Sequence, residues 1–168
     1  MHDSLAIFCA KPLVFLEAIL GILAVVLTLP HRTHLIRRRW LVSVVTMLVL
    51  SEVCSMILGH LISSPRPFVS DGVKSLIVHD PNNGFPSHHA LMGAAIFAAV
   101  GLINARVSIV FAFLAIAVAW GRVACHVHHV GDVVGSMFIV LLATVVGIAL
   151  SRQVKRIGSA TSEAPEEA

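Results

Sequence analysis

Long apolar runs, separated by short polar segments, fill most of this chain. A transmembrane helix needs about 17–25 mostly apolar residues, and three runs have this length: 12–29, 40–62 and 133–150. Two shorter runs reach it only by extending into their polar flanks: 90–103 and 107–120. The pattern predicts an all-α integral membrane protein, a bundle of about five transmembrane helices. Residues 1–11 are too short to span, and are predicted to form a short interfacial or re-entrant helix.

The composition agrees with a membrane protein. Hydrophobic residues make up 57% and charged residues 12% of the chain, against about 45–50% and 25% in soluble domains. The net charge of +3 does not indicate nucleic-acid binding, because the basic residues lie between apolar runs rather than on a soluble face. The three cysteines lie in or beside apolar runs, which predicts small buried side chains and no disulfide framework.

The positions of the basic residues predict an orientation, since cytoplasmic loops are rich in Lys and Arg. One side of the five-span arrangement would hold Arg32, Arg37, Arg38, Arg39, Arg106, Arg152, Lys155 and Arg156, and the other side Lys11, Arg66, Lys74 and Arg122. We therefore expect an extracytoplasmic N-terminus and a cytoplasmic C-terminus. The chain fits one membrane-embedded domain, residues 1–150, and a cytoplasmic tail, residues 151–168. Within the tail, residues 158–168 are small, polar and acidic, which predicts disorder.

Three polar stretches fall on the predicted extracytoplasmic side: SSPRPF at 63–68, GFPSHHA at 84–90 and GRVACHVHHVGD at 121–132. Arg66 and Arg122 supply planar, bidentate donors that suit phosphate oxygens. Ser87 precedes an apolar run and is predicted to be the N-cap of its helix, whose N-terminus favours an anion. The stretches together predict a phosphate-binding site.

The third stretch also supplies a candidate nucleophile. His128 and Asp132 are four residues apart, which places them on one face of a helix. A carboxylate bonded to one imidazole nitrogen fixes the tautomer and leaves the other nitrogen free to attack. A second histidine, from the PSHH stretch, could protonate a leaving oxygen. These groups predict phosphoryl transfer through a phosphohistidine, with no metal or other cofactor.

In order, the motifs R-P, P-S-x-H and R-x5-H-x3-D resemble those of the type 2 phosphatidic acid phosphatase superfamily, which includes vanadium haloperoxidases. The run from RPFVSDGVKSLIVHDPNNGFPSHHA to HHVGDVVGS is most similar to bacterial undecaprenyl-diphosphatases of that superfamily. The resemblance covers most of residues 12–150. It implies a bacterial plasma-membrane enzyme that converts undecaprenyl pyrophosphate to the monophosphate, and so recycles the lipid carrier of cell-wall synthesis. Phosphatidic acid and phosphatidylglycerol phosphate remain alternative substrates.

The resemblance also implies roles by position. His128 would be the nucleophile and Asp132 the residue that orients it. His89 would be the general acid for the leaving group, and later the base for water. The transferred phosphate would be bound by Arg66, Ser87 and Arg122.

Some positions depart from the family pattern or lie outside it. The superfamily has a lysine seven residues before the R-P arginine, where this chain has Gly59, so Lys74 is a candidate for the missing charge. Glu17 and Glu52 lie inside predicted spans, where an acid is costly. We expect both to face the bundle interior, where either could position the pyrophosphate or a site arginine. The alternative is that they are protonated and hold helices together.

A histidine-rich metal-binding or metal-transporting membrane protein is the competing interpretation. Its ligands would come from His88, His89, His126, His128 and His129. Histidines at such spacings can bind zinc, but two arginines beside them would repel a cation. A purely structural membrane subunit is a further alternative, since polar residues gather at helix ends. The sequence does not predict an oligomeric state.

Overall fold

The computed structural model describes residues 2–160, with side chains described to residue 153. In this part of the chain the secondary structure is helical, with one isolated bridge between Pro65 and Asn83. The helices are α1 His2–Ala10, α2 Pro12–Thr28, a 3-10 turn Leu29–His31, α3 His34–Leu61, α4 Pro67–Ser70, α5 His88–Gly101, α6 Ala105–Ala124 and α7 Val130–Ala160. The all-α prediction is confirmed.

Four helices are long and apolar enough to cross a membrane: Pro12–His31, His34–Leu61, Ala105–Ala124 and Val130–Gln153. Helix α5 is a shorter apolar helix that packs among them. Large apolar side chains on the outside of the bundle remain exposed, such as Ile22 at 67% and Phe113 at 70%. Side chains of this kind can contact lipid tails, so the predicted bundle of about five membrane helices is confirmed.

Helix boundaries differ from the apolar runs. Helix α3 begins at His34, because Thr33 caps it by accepting a hydrogen bond from Ile36 N at 3.4 Å. Asn104 caps α6 in the same way, accepting from Val107 N at 3.2 Å. Helix α7 continues past residue 150 to Ala160. Residues 161–168 of the predicted tail lie outside the described residues.

Close packing of α3, α5 and α7 forms the main core. Its buried residues are Val44, Met47, Leu91, Ala94, Ala95, Ile139, Val140 and Ala143. Helices α3 and α7 approach closely at Gly147, where an added Cβ would lie 2.5 Å from the Ser43 carbonyl oxygen. The Ser43 hydroxyl donates to the Gly147 carbonyl at 3.3 Å. Small residues let helices approach closely in lipid, and Ala94 and Ala95 are the small residues of α5 in this core.

The bundle has two distinct ends. At the basic end, Arg32 donates to the Ile103 carbonyl at 2.5 Å and Trp40 donates to the Ala99 carbonyl at 2.8 Å. The opposite end holds all three polar stretches, as the bonds of Arg66 and Ser64 described below demonstrate. The short helix α1 packs against α6 at this second end.

Candidate active site

A tight turn between α6 and α7 carries His128. Helix α6 ends at Ala124 with Cys125 as its C-cap, and His126 adopts a left-handed φ of 57°, which is uncommon for a residue with a side chain. Cys125 and Val127 are fully buried and pack against Ala6 and Ile77. This packing fixes the turn, so His128 is only 3% exposed.

Asp132 lies on the first turn of α7 and faces the His128 ring. Its Oδ1 accepts from the Ser64 hydroxyl at 2.7 Å, and its Oδ2 accepts from His129 N at 2.8 Å. Oδ2 lies 3.5 Å from His128 Nδ1. This distance is longer than the roughly 2.7–2.9 Å of a charge-assisted hydrogen bond, and Nδ1 makes no hydrogen bond to another described residue. Catalytic hydrogen bonds are often long in the free enzyme and tighten in the substrate complex.

The other ring nitrogen of His128 lies between two buried guanidinium groups. Arg66 Nη1 is 3.3 Å and Arg122 Nη2 is 3.5 Å from His128 Nε2. Arg66 is 5% exposed and Arg122 is 2% exposed. Arg66 also donates to the Val127 carbonyl at 2.7 Å, and Arg122 to the Ala10 carbonyl at 3.2 Å. Two cations held by uncharged oxygens form a site for an anion directly beside a ring nitrogen.

The environment of His128 keeps its ring neutral. Burial lowers the pKa of His128 most, and the charges of Arg122 and Arg66 lower it further, while Asp132 raises it. A neutral ring with its proton on Nδ1, facing Asp132, has a lone pair on Nε2. In the structure Nε2 is next to the guanidinium groups of Arg66 and Arg122, and an unprotonated nitrogen beside a phosphate held by them is what nucleophilic attack requires.

Ser87 and His89 stand at the start of α5. Ser87 is the N-cap residue, as predicted, but its side chain makes no capping bond. The Ser87 hydroxyl is buried and has no partner among the described residues, so it is free for a ligand oxygen. Its backbone N–H donates to the Ser136 hydroxyl at 2.8 Å, and that hydroxyl donates to the Asp132 carbonyl at 2.6 Å. His89 is partly buried, and Arg122 and His128 are among its titratable neighbours.

Several supporting residues were not identified from the sequence. Asn82 Oδ1 accepts from Arg66 Nε at 3.0 Å and from Arg66 Nη2 at 2.8 Å, which fixes the guanidinium plane. Ser64, Ser136 and the Ala10 carbonyl act in the same supporting way. None of them is a defining position of the three motifs by which the site was predicted. The Asn-Asn pair directly before GFPSHHA is the one sequence feature that could have indicated a supporting polar residue.

The secondary candidates lie apart from the His128 ring. Lys74 is exposed, and its backbone carbonyl lies 3.2 Å from His126 Nδ1. Glu17 faces the interior as expected, fully buried beside Gly93 and with no hydrogen-bond partner among the described residues. The expectation for Glu52 is wrong, because its side chain is exposed. A helix that is apolar all round does not reveal which face is buried.

The remaining histidines do not assemble into a metal site. Within the described part of the chain, no group of three or more His, Cys, Asp or Glu side chains could hold a metal ion. His88 and His126 are exposed. His129 Nε2 lies 3.2 Å from the Pro65 carbonyl oxygen. In the tautomer that carries its hydrogen on Nε2, His129 donates a hydrogen bond to this oxygen.

Residues 40–158 match the model of the PAP2 superfamily. Over 153 residues the chain is 34% identical to the Escherichia coli (strain K12) protein named "Putative undecaprenyl-diphosphatase YbjG". The aligned region covers 90% of this chain and 72% of that protein. It is 27% identical over 144 residues to the Bacillus licheniformis protein named "Bacitracin transport permease protein BcrC", covering 85% and 68%. No solved structure matches the chain significantly. These matches confirm the resemblance that the three motifs predicted.

Proposed function

Because the chain belongs to the PAP2 superfamily, we propose that it is a membrane phosphatase that converts undecaprenyl diphosphate to undecaprenyl phosphate and inorganic phosphate. One observation carries the chemistry. His128 Nε2 lies between the guanidinium groups of Arg66 and Arg122, and Asp132 faces the opposite ring nitrogen. A phosphate bound by both arginines would present its phosphorus to a nucleophile that is already oriented.

The reaction follows from these groups in two steps. In the first, Nε2 of His128 attacks the terminal phosphorus, an N–P bond forms, and the P–O bond to the lipid phosphate breaks. The arginines and the Ser87 hydroxyl stabilise the charge on the transferred phosphoryl group. His89 gives a proton to the leaving group and then takes one from the attacking water. The N–P bond breaks, and inorganic phosphate leaves a neutral His128.

An apolar groove supports a lipid substrate. A cavity of about 320 Å³ opens between α5, α6 and α7 and is lined almost entirely by apolar side chains, among them Ala94, Ala112 and Met137. Ala94 lies one turn after Ala90, which packs against Val133 just below His89. The groove therefore begins about one turn beyond this packed cluster, and a prenyl chain that passed over the cluster would find apolar walls there. The name of the Escherichia coli relative supports the undecaprenyl chain.

The proposed orientation places the site outside the cytoplasm of a bacterial plasma membrane. Arg32 and Trp40 mark the basic end of the bundle, and His128 lies at the opposite end. The positive-inside rule assigns the basic end to the cytoplasm. A cysteine at Val78 should then react with a membrane-impermeant maleimide in intact cells, and a cysteine at Arg37 should not. The reverse labelling would overturn this orientation.

Phosphate release by detergent-purified protein in EDTA tests the proposed reaction. His128→Ala should lower release from undecaprenyl diphosphate by about three orders of magnitude or more, because the nucleophile is lost. His60→Ala is the matched control, since His60 is exposed and its Nδ1 lies 2.7 Å from a carbonyl of its own helix. It should keep wild-type activity, and vanadate should inhibit the wild-type protein.

Three other outcomes have different meanings. Release from phosphatidic acid or phosphatidylglycerol phosphate, with none from undecaprenyl diphosphate, would keep the chemistry and change the substrate. Activity that EDTA abolishes would overturn the metal-free reaction and favour a histidine-bound metal. Equal activity in His128→Ala and the wild type would rule out a phosphohistidine intermediate at His128.

A further inference from the structure

The loop of residues 71–84 is fixed at both ends beside the site. At its first end, Leu76 N and the Ser75 hydroxyl both donate to the Cys125 carbonyl at 3.2 Å. Ile77 is 8% exposed and packs with Cys125 and Val127. At its second end, Asn83 Nδ2 donates to the carbonyls of Gly59 at 2.7 Å and Ile62 at 2.8 Å. A loop anchored at both ends holds the side chains between its anchors in place.

His79 lies between these anchors and beside the nucleophile. The centroid of its ring is 6.3 Å from that of His128, and the two rings are nearly perpendicular at 78°. Its Nδ1 lies 3.4 Å from the Asp80 carbonyl oxygen, which leaves Nε2 for a ligand. The side chain is partly exposed. The structure therefore brings a further imidazole to the site, from outside the three motifs.

The charges around His79 suit an anionic ligand. Burial lowers the pKa of His79 most, and Arg66 and Arg122 lower it further, while the carbonyl and carboxylate of Asp80 raise it. His89 is a further titratable neighbour. With its pKa lowered, the ring is neutral near pH 7 when no anion is bound. A diphosphate would offset the charges of the arginines and allow the ring to take up a proton and bind.

The two classes of substrate differ in what their leaving groups need. A phosphate monoester leaves as an alkoxide, which needs a proton from a general acid such as His89. A diphosphate leaves as a lipid phosphate, an anion that is already stable in water. That leaving group needs a hydrogen-bond donor and a positive charge more than it needs a proton. Arg66 and Arg122 are beside the transferred phosphate, so the leaving phosphate requires another partner.

We propose that His79 binds the leaving phosphate of a diphosphate substrate and thereby sets a preference for lipid diphosphates over lipid monophosphates. This inference rests on the proposed phosphatase function. It also replaces Lys74 as the group that compensates for Gly59, since the Lys74 side chain is exposed whereas the His79 ring lies beside His128.

Two substrates with one lipid tail test the inference: farnesyl diphosphate and farnesyl phosphate. His79→Ala should lower kcat/KM for the diphosphate at least about tenfold more than for the monophosphate, because a charge-assisted hydrogen bond is lost. His89→Ala should have the opposite preference and impair the monophosphate more. Val78→Ala is the matched control, since Val78 is adjacent and 96% exposed, and it should change neither value more than about twofold.

The ratio of the two kcat/KM values decides the inference. A ratio in His79→Ala equal to that of the wild type, whether both rates fall or neither does, overturns it. If His79→Ala does not fold, His79→Gln carries the same comparison. Wild-type protein that acts on the monophosphate alone overturns both this inference and the diphosphatase part of the proposed function. Wild-type protein inactive on both farnesyl substrates and on undecaprenyl diphosphate overturns the proposed function itself.

Discussion

His128 illustrates how a few neighbours determine what one side chain can do. The arginines that would bind phosphate also lower the pKa of His128, so one pair of charges would attract an anionic substrate and also keeps the ring unprotonated. Asp132 raises the same pKa, and in the proposed reaction it also orients the ring. In the proposed reaction the proton therefore stays on Nδ1, and Nε2 is the attacking atom.

The pH dependence of kcat/KM should reflect this balance. The acid limb of the profile reports protonation of the base in the free enzyme, and its midpoint should lie below the roughly 6.5 of an ordinary histidine. Asp132→Asn removes the group that raises the pKa of His128, so the midpoint should move to still lower pH. The plateau should fall about a hundredfold or more, because the tautomer is no longer fixed. Rates from pH 4 to 9 on one substrate test both variants, since ionisation of the substrate affects them equally. A midpoint that moves to higher pH in Asp132→Asn would contradict this account.

Which residues meet was predictable where the spacing is short and not where the contact is distant. The i, i+4 spacing indicated that His128 and Asp132 share a face, and the structure places them 3.5 Å apart. The Ser64 hydroxyl reaches Asp132 across 68 positions, and Asn82 reaches Arg66 across 16. Contacts of this kind depend on how loops are anchored by packing, which a pattern of apolar residues does not encode.

Helix α1 has a larger role than its length suggests. It packs on α6 so closely that a Cβ at Gly121 would lie 2.5 Å from Ala10 N and 2.6 Å from the Cys9 Cβ. The same approach places the Ala10 carbonyl where Arg122 donates to it. The sequence predicted a short helix at residues 1–11. Gly121, next to Arg122, allows this helix to approach α6 closely enough for the Ala10 carbonyl to hold Arg122.

Gly121→Ala should therefore damage both packing and activity. The added methyl group forces α1 away from α6, at a cost of about 1–3 kcal/mol in unfolding free energy, and it displaces the carbonyl that holds Arg122. We expect a lower unfolding midpoint in detergent and a kcat/KM reduced about tenfold or more. Gly101→Ala is the matched control on α5, because its Cβ would meet Ser108 at an ordinary 3.5 Å. Wild-type activity in Gly121→Ala would mean that α1 does not position Arg122.

Helix boundaries were predicted less well than helix positions, for a physical reason. An apolar run ends at the first charged residue, whereas the backbone hydrogen bonds of a helix can continue past that residue. Helix α3 therefore includes Arg37, Arg38 and Arg39 before the apolar run that begins at Trp40. Helix α7 extends past residue 150 in the same way. The apolar runs mark what lies in the bilayer, and the caps mark where the helix begins.

At the scale of the whole molecule, the polar site and the apolar groove lie one after the other along α5, α6 and α7. The site lies at one end of the bundle, and the groove between α5, α6 and α7 begins about one turn below it. A head group bound by the arginines would leave its prenyl chain beside this groove. Packing of α6 against α7 is sparse compared with that of α3 against α7, which leaves room for the groove between α6 and α7.

Filling the groove should therefore distinguish lipids by tail length. Ala112→Phe places a ring in the cavity, and should lower kcat/KM for undecaprenyl diphosphate about tenfold, because the tail loses apolar contact area. Farnesyl diphosphate, which is shorter, should be affected less than about threefold. Val110→Phe adds a ring to the outside of the same helix, at a side chain that is 57% exposed, and should alter neither substrate. Equal losses on both substrates in Ala112→Phe would indicate a distorted site, and no loss on either would mean that the tail lies elsewhere on the bundle.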